Sequence, residues 1–151
     1  MSELVIISMI IGGMVEIIKF NGGIEFILGF ITKRVNSKIG AEFGIATLVS
    51  LVDICTANNT IAIVTVGPIA KDISNQYDIE PKRVAGILDM FSCVSQGIIP
   101  YGAQLLSASA LAKLSPFIIM KYLYYPYLMG ISALIAIVLV PYLKLKIKEK
   151  L

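Results

Sequence analysis

Between Ile39 and Ala70 the chain carries only two charged residues, Glu42 and Asp53, and between Val84 and Ala112 only Asp89. Uninterrupted apolar stretches of this kind are what a helix needs to cross about 30 Å of hydrocarbon. The whole composition agrees. Of the 151 residues, 57% are hydrophobic and 15% charged, against roughly 45–50% and about 25% in soluble chains. These features specify an all-α membrane protein in one transmembrane domain covering residues 1–151. The apolar segments lie at about 4–20, 39–55, 59–71, 84–112 and 126–143, with interfacial helices at about 24–35 and 115–125. The surroundings are therefore a lipid bilayer, and the placement is multi-pass.

Both long runs are interrupted. In the first, Cys55-Thr56-Ala57-Asn58-Asn59-Thr60 is mostly small or polar, with an arm of about 15 residues before it and about 11 after it. Neither arm is a comfortable full span, so two half-helices meeting inside the membrane as a re-entrant hairpin fit better. Irregular backbone at that depth is tolerated only where protein buries it or it lines a cavity. In the second run, Gly97-Ile98-Ile99-Pro100-Tyr101-Gly102 predicts one broken helix, because proline removes a backbone donor and clashes with the preceding turn. Lys71 to Arg83 reads as a polar loop, and Asn21-Gly22-Gly23 as a turn. The first block, Leu4 to Ile18, is short for a span and carries Gly12, Gly13 and Glu16. Ile24 to Val35 is amphipathic, ends in Lys33 and Arg34, and fits the membrane surface.

Charge placement orients the chain. Lys144, Lys146, Lys148 and Lys150 crowd the end and favour a cytoplasmic carboxy terminus in the cytoplasmic, or inner, membrane. With the tail inside, Lys33, Arg34, Lys38, Lys71, Lys82 and Arg83 also fall inside, while Lys113 and Lys121 fall outside near the cluster Tyr122, Tyr124, Tyr125 and Tyr127. The same parity results if the hairpin were two full spans. The lysine tail is short and lacks interleaved aromatics, so no nucleic acid is expected as partner. No secretory signal is expected either, since the first residues are acidic. Cys55 and Cys93 sit in apolar surroundings and read as small buried hydrophobes. Histidine is absent, so a proton carrier here has to be a carboxylate. No nucleophile–base pair and no metal cluster stands out, and no enzyme or cofactor is expected.

Two carboxylates in apolar runs draw attention, because a charge at the bilayer centre costs at least about 2.5–3.5 kcal/mol on insertion scales. Thr47, Ser50 and Asp53 recur every three residues, and Asp89, Ser92, Cys93 and Gln96 follow i, i+3, i+4, i+7. The two stripes suggest one shared polar cavity. Asp53 and Asp89 are candidates for proton coupling, or for capping freed backbone amides. Thr47, Ser50 and Ser92 fit helix–helix glue better. Asn58, Asn59 and Thr60 offer neutral oxygens of the kind a sodium ion takes, at a point where half-helix dipoles converge. Gln96, Tyr101 and Gln104 flank the second break, either to bind substrate or to satisfy the groups that Pro100 frees. Glu16 and Glu42 are expected at the interface without a function.

The run from Asp89 through Ser95-Gln96-Gly97, Pro100-Tyr101-Gly102 and Gln104 resembles a signature of the NhaC-type sodium/proton antiporter family. Thr56-Ala57-Asn58-Asn59-Thr60, followed by Gly67-Pro68-Ile69-Ala70, is similar to that family's corresponding segment and to hairpin tips of the wider ion transporter superfamily. The resemblance covers about Gly12 to Tyr142. It implies one repeat of an inverted-repeat transporter, the carboxy-terminal half, with Asn58, Asn59 and Thr60 at a hairpin tip and Gln96 to Gln104 in the broken-helix region. It implies sodium ions and protons as transported species. It also implies a partner, either an upstream transporter half or a second copy, because one repeat lacks the usual second side of the site. Two alternatives stay open. One is a sodium- or proton-coupled carrier of an organic acid or amino acid; the other is a non-transporting membrane subunit or remnant.

Overall fold

The computed structural model describes residues 37–148, with side chains to residue 140, and positions 6, 10, 13, 17, 20–22 and 26 before them. Most of Leu4–Ile18 and of the amphipathic stretch 24–35, Glu16 and the lysine side chains of the tail lie outside these residues. Asn21 and Gly22 do form a turn, with Gly22 in the left-handed region at φ 72°, where a residue without Cβ meets no steric penalty.

Among the described residues every regular element is an α-helix and there is no strand. In chain order they are α1 (Lys38–Thr56), α2 (Asn59–Gln76), α3 (Pro81–Ile98), α4 (Ala103–Ala112), α5 (Pro116–Met120) and α6 (Tyr124–Lys148). Lys38–Thr56, and Pro81–Ala112 taken across its break, are long and apolar enough to cross a membrane by length and composition.

Helix α1 is the centre of the bundle and packs against α2, α3 and α6. It is largely apolar on its exposed face as well, at Ile39, Leu51 and Ile54, as a helix that faces protein on one side and lipid on the other must be. Ala41, Ile45, Leu48, Val49 and Val52 are all buried in it. Ser37 starts the helix by accepting a hydrogen bond from the Gly40 N–H at 3.1 Å, which satisfies one of the orphan amides of the first turn. After Thr56 only Ala57 and Asn58 intervene before α2 begins, so α1 and α2 pack as a helical hairpin.

The hairpin arms are longer than the apolar runs suggest. Helix α1 has 19 residues and α2 has 18, so α1 rises about 28 Å at 1.5 Å per residue. The segment read as a loop from Lys71 is helical through Gln76. The reason is a stripe that outlasts the apolar composition: Ala62, Val66, Ala70 and Ile73 recur on one face and are all buried. Lys71, Asp72, Asn75 and Gln76 occupy the exposed face. Pro68 lies inside α2 without ending it, on an exposed position.

Helix α3 begins with Pro81 at its first turn, where the missing N–H is no loss. Its buried residues, Val84, Ile87, Leu88, Phe91, Ser92, Ser95 and Gln96, form one stripe against α1 and α2. The helix stops at Ile98, passes through Ile99 to Gly102, and resumes as α4 at Ala103, as the proline and glycines there require. Gly102 turns the chain by donating to the Ile99 carbonyl at 3.1 Å.

Helix α6 packs against α3 and α1. Its approach depends on two glycines. A Cβ on Gly97 would come within 2.9 Å of Pro126 Cγ, and one on Gly130 within 3.3 Å of Val94 Cγ1. Gly97→Val is therefore expected to lower stability by about 1–3 kcal/mol through overpacking. Thermal unfolding of the purified protein in detergent checks this; an unchanged midpoint would mean that α6 can retreat freely. The opposite face of α6 exposes Leu128, Ile131, Leu134, Ile135, Val138 and Leu139. A continuous apolar stripe of that extent is a liability in water and the normal outer face of a helix in lipid.

One end of the bundle gathers unexpected charge. Glu42, expected at the interface, is fully buried and receives two hydrogen bonds from Arg83, at 2.5 Å from Nε and 2.6 Å from Nη2. The same Nη2 donates to the carbonyls of Ala136 and Ile137 at 3.2 and 3.3 Å. One guanidinium thus ties α1, α3 and α6 together. A buried carboxylate is tolerated only when paired in this way, and the fork of an arginine supplies the bidentate match. Beside it Lys38 Nζ donates to the Asp78 carbonyl, closing the α2–α3 turn onto α1.

Candidate cation site where the hairpin tip meets the broken helix

The opposite end of the bundle brings the two interruptions together. Ala57 caps α1 in the left-handed conformation, at φ 48°, a state that costs a non-glycine residue roughly 1–2 kcal/mol. Such strain persists where the surroundings over-determine it. Here the Ala57 N–H returns to the Asp53 carbonyl at 2.7 Å, and its own carbonyl accepts from Gln96 Nε2 at 3.2 Å.

Gln96 is the fastener of the site. Its Oε1 accepts from the Asn59 N–H at 2.8 Å, and its Nε2 also donates to Gln104 Oε1 at 3.1 Å. One buried amide therefore joins the tip, α3 and the start of α4. Tyr101, in the break itself, donates its hydroxyl to the Ile54 carbonyl at 2.5 Å. Gln96 and Tyr101 thus satisfy the backbone groups around the interruptions. Gln96→Ala is expected to leave the Asn59 N–H without its partner, a loss of about 1–3 kcal/mol. Amide hydrogen exchange at Asn59 should then speed up while exchange in the middle of α1 does not; equal rates at Asn59 would show that the tip is held by other means.

The three tip residues have different situations. Asn58 is the N-cap of α2: its Oδ1 accepts from the Ile61 N–H at 3.2 Å, and the residue is exposed. Asn59 donates through Nδ2 to Cys93 Sγ at 3.6 Å, while its Oδ1 is buried without a hydrogen-bond partner. Thr60 is exposed on the outer side of the first turn.

The carboxylates also divide. Asp53 is 0% exposed and neither carboxylate oxygen has a hydrogen-bond partner, although the Gln96 backbone lies beside it. Asp89 is exposed on α3 and lines a cavity of about 410 Å³ between the tip, α3 and the start of α6. Cys93 lies within electrostatic range of both. The single cavity expected from the two polar stripes is only partly realised. Thr47 is exposed and turns its hydroxyl back to the Phe43 carbonyl at 2.8 Å, and Ser92 bonds the Asp89 carbonyl at 3.0 Å. Both hydroxyls stay on their own helices and bridge nothing. Asn59, Asp89, Cys93, Gln96 and Gln104 do share the cavity, together with Tyr125, which read as a belt residue in the sequence. Among the described residues no group of three or more Cys, Asp or Glu is placed to hold a metal ion.

What the arrangement offers is a buried carboxylate and a buried amide oxygen, neither hydrogen-bonded to a side chain, close to an open cavity with a second carboxylate. Such a set suits a proton or a small cation. No curated protein and no solved structure matches this chain. The family model for the Na+/H+ antiporter family matches residues 1–142, nearly the full length and including every residue of the site. The chain belongs to the Na+/H+ antiporter family.

Proposed function

We propose that this chain is part of a secondary transporter of the NhaC type that exchanges sodium for protons across the cytoplasmic membrane. The observation that carries the reading is Asp53, fully buried with both carboxylate oxygens unpartnered. An ionised carboxylate in that state is costly, so it takes up either a proton or a cation. A group that alternates between those two states couples the two flows. Asn59 Oδ1, also buried and unpartnered, supplies a neutral oxygen for the cation. The exposed Asp89 stands on the cavity wall, Thr60 offers a further hydroxyl in the exposed first turn of α2, and Asn58 shapes the tip through its cap. Gln96, Tyr101 and Gln104 hold the tip and the break in register.

The arms of 19 and 18 residues are longer than the half-helices of a re-entrant hairpin, so in this reading α1 and α2 form a hairpin with its site at the tip, and the chain is one repeat of an inverted pair. The other repeat comes from an upstream half or from a second copy. Lys38, Lys82 and Arg83 lie at the end of the bundle where α1 and α3 start and α2 finishes, which favours that end as cytoplasmic. A carboxy-terminal tail on the same side follows from the antiparallel course of α6 beside α3.

An organic acid as the carried species has less support. No basic residue is among the described residues lining the cavity. The amides of Asn59 and Ile61 at the start of α2, which an anion would use, are already engaged by Gln96 and Asn58.

The experiment is sodium-driven proton flux in inverted vesicles carrying the chain, with and without a co-expressed upstream half. Sodium should release protons in a saturable way that depends on Asp53. Flux that ignores sodium in both preparations would sink the exchange reading and leave a non-transporting subunit.

A further inference from the structure

The cavity is far larger than a dehydrated sodium ion requires. At about 410 Å³ it falls in the range of roughly 300–1,000 Å³ typical of small-molecule sites. Its lining combines two kinds of group. One part carries acceptors: the Asp89 carboxylate and Gln104 Oε1, which accepts only from Gln96. The other part is soft and apolar, made by Met90, Met129 and Tyr125. Asp89 is the one charged side chain among the described residues that line it.

We infer that this cavity binds an organic primary ammonium ion, with the –NH3+ group on Asp89 and Gln104 and a short apolar body against Met90, Met129 and Tyr125. An ammonium nitrogen supplies donors for both the carboxylate and the amide oxygen, and a carboxylate is its natural counter-charge. Thioethers and an aromatic ring accept both the carbon chain and the flank of a cation. The inference rests on reading this region as the transported-cation site, and it extends the cargo from an inorganic ion to amines.

The test is isothermal titration of the full chain, purified in detergent, with n-butylammonium chloride. Tetramethylammonium chloride has charge without donors, n-butanol the body without charge, and potassium butyrate the opposite charge. Saturable binding is expected for n-butylammonium alone. It should weaken about ten-fold or more in Asp89→Asn, the scale of one charged hydrogen bond. Asp89 is exposed, so that variant should fold; circular dichroism checks it, and Met129→Trp, which fills the apolar side, gives an independent loss. No saturable binding, equal binding of n-butanol, or unaltered affinity in both variants overturns the inference. Sodium-driven proton flux is measured in parallel. Flux without butylammonium binding overturns this inference and leaves sodium exchange standing. Butylammonium binding without sodium-dependent flux supports the amine site and removes the sodium reading.

Discussion

Asp53→Asn should bring sodium-driven proton exchange down to background while leaving the protein at least as stable as before. The two halves of that result come from one cause. In the folded chain the Asp53 carboxylate is 0% exposed and neither oxygen has a hydrogen-bond partner. Asparagine has nearly the same shape and no charge, so it breaks no hydrogen bond made by those oxygens. It replaces a carboxyl group, whose ionised form is costly to bury unpaired, with a neutral amide. Thermal unfolding in detergent should therefore show an equal or higher midpoint. At the same time asparagine cannot take up and release a proton, so the coupling step is lost. A structural carboxylate would behave oppositely: stability would fall and flux would change only in proportion to folded protein. Retained exchange in a fully folded Asp53→Asn protein would remove this residue from the mechanism and shift attention to Asp89.

The other large effect is expected at the opposite end of the bundle. Arg83→Met leaves Glu42 buried without its partner, and it removes the donors to Ala136 and Ile137. Breaking one side of a buried ion pair typically costs about 3–5 kcal/mol. The double variant Glu42→Leu with Arg83→Met should recover most of that loss, because two apolar side chains then replace two charges. Unfolding measured for both single variants and the double closes the cycle. Additive losses would mean that the pair is screened and does not clamp the helices. If the clamp holds, the double variant also asks whether the charge is needed for transport. A stable double variant with little flux would give the pair a task beyond stability.

Glu42 illustrates where the sequence falls short. Its partner is 41 residues away, and nothing in its neighbourhood distinguishes a buried, paired glutamate from one at the membrane surface. The end of α2 is a similar case. Composition turns polar at Lys71, but the apolar positions Ala70 and Ile73 continue the buried stripe, and packing against α1 and α3 keeps the helix going to Gln76. Asp53 and Asp89 looked alike in the sequence, each a lone acid in an apolar run. The structure buries one and leaves the other at the wall of a cavity. Tyr125 was legible only as part of an aromatic belt, because its place beside Asp89 depends on how α6 packs against α3.

What the sequence determined by itself is local and compositional. Apolar blocks with few charges dictate membrane helices, Pro100 between two glycines dictates a broken helix, and the small, polar run 55–60 dictates an interruption between two apolar arms. Those outcomes follow from solvation and backbone sterics, which act within a few residues. Only the tertiary structure decided that Gln96 joins the tip to the break, that Arg83 clamps three helices, and that Asp53 is sealed from solvent while Asp89 is not. A helical period says which residues share a face, but the rotation and depth at which helices meet decide what each face touches.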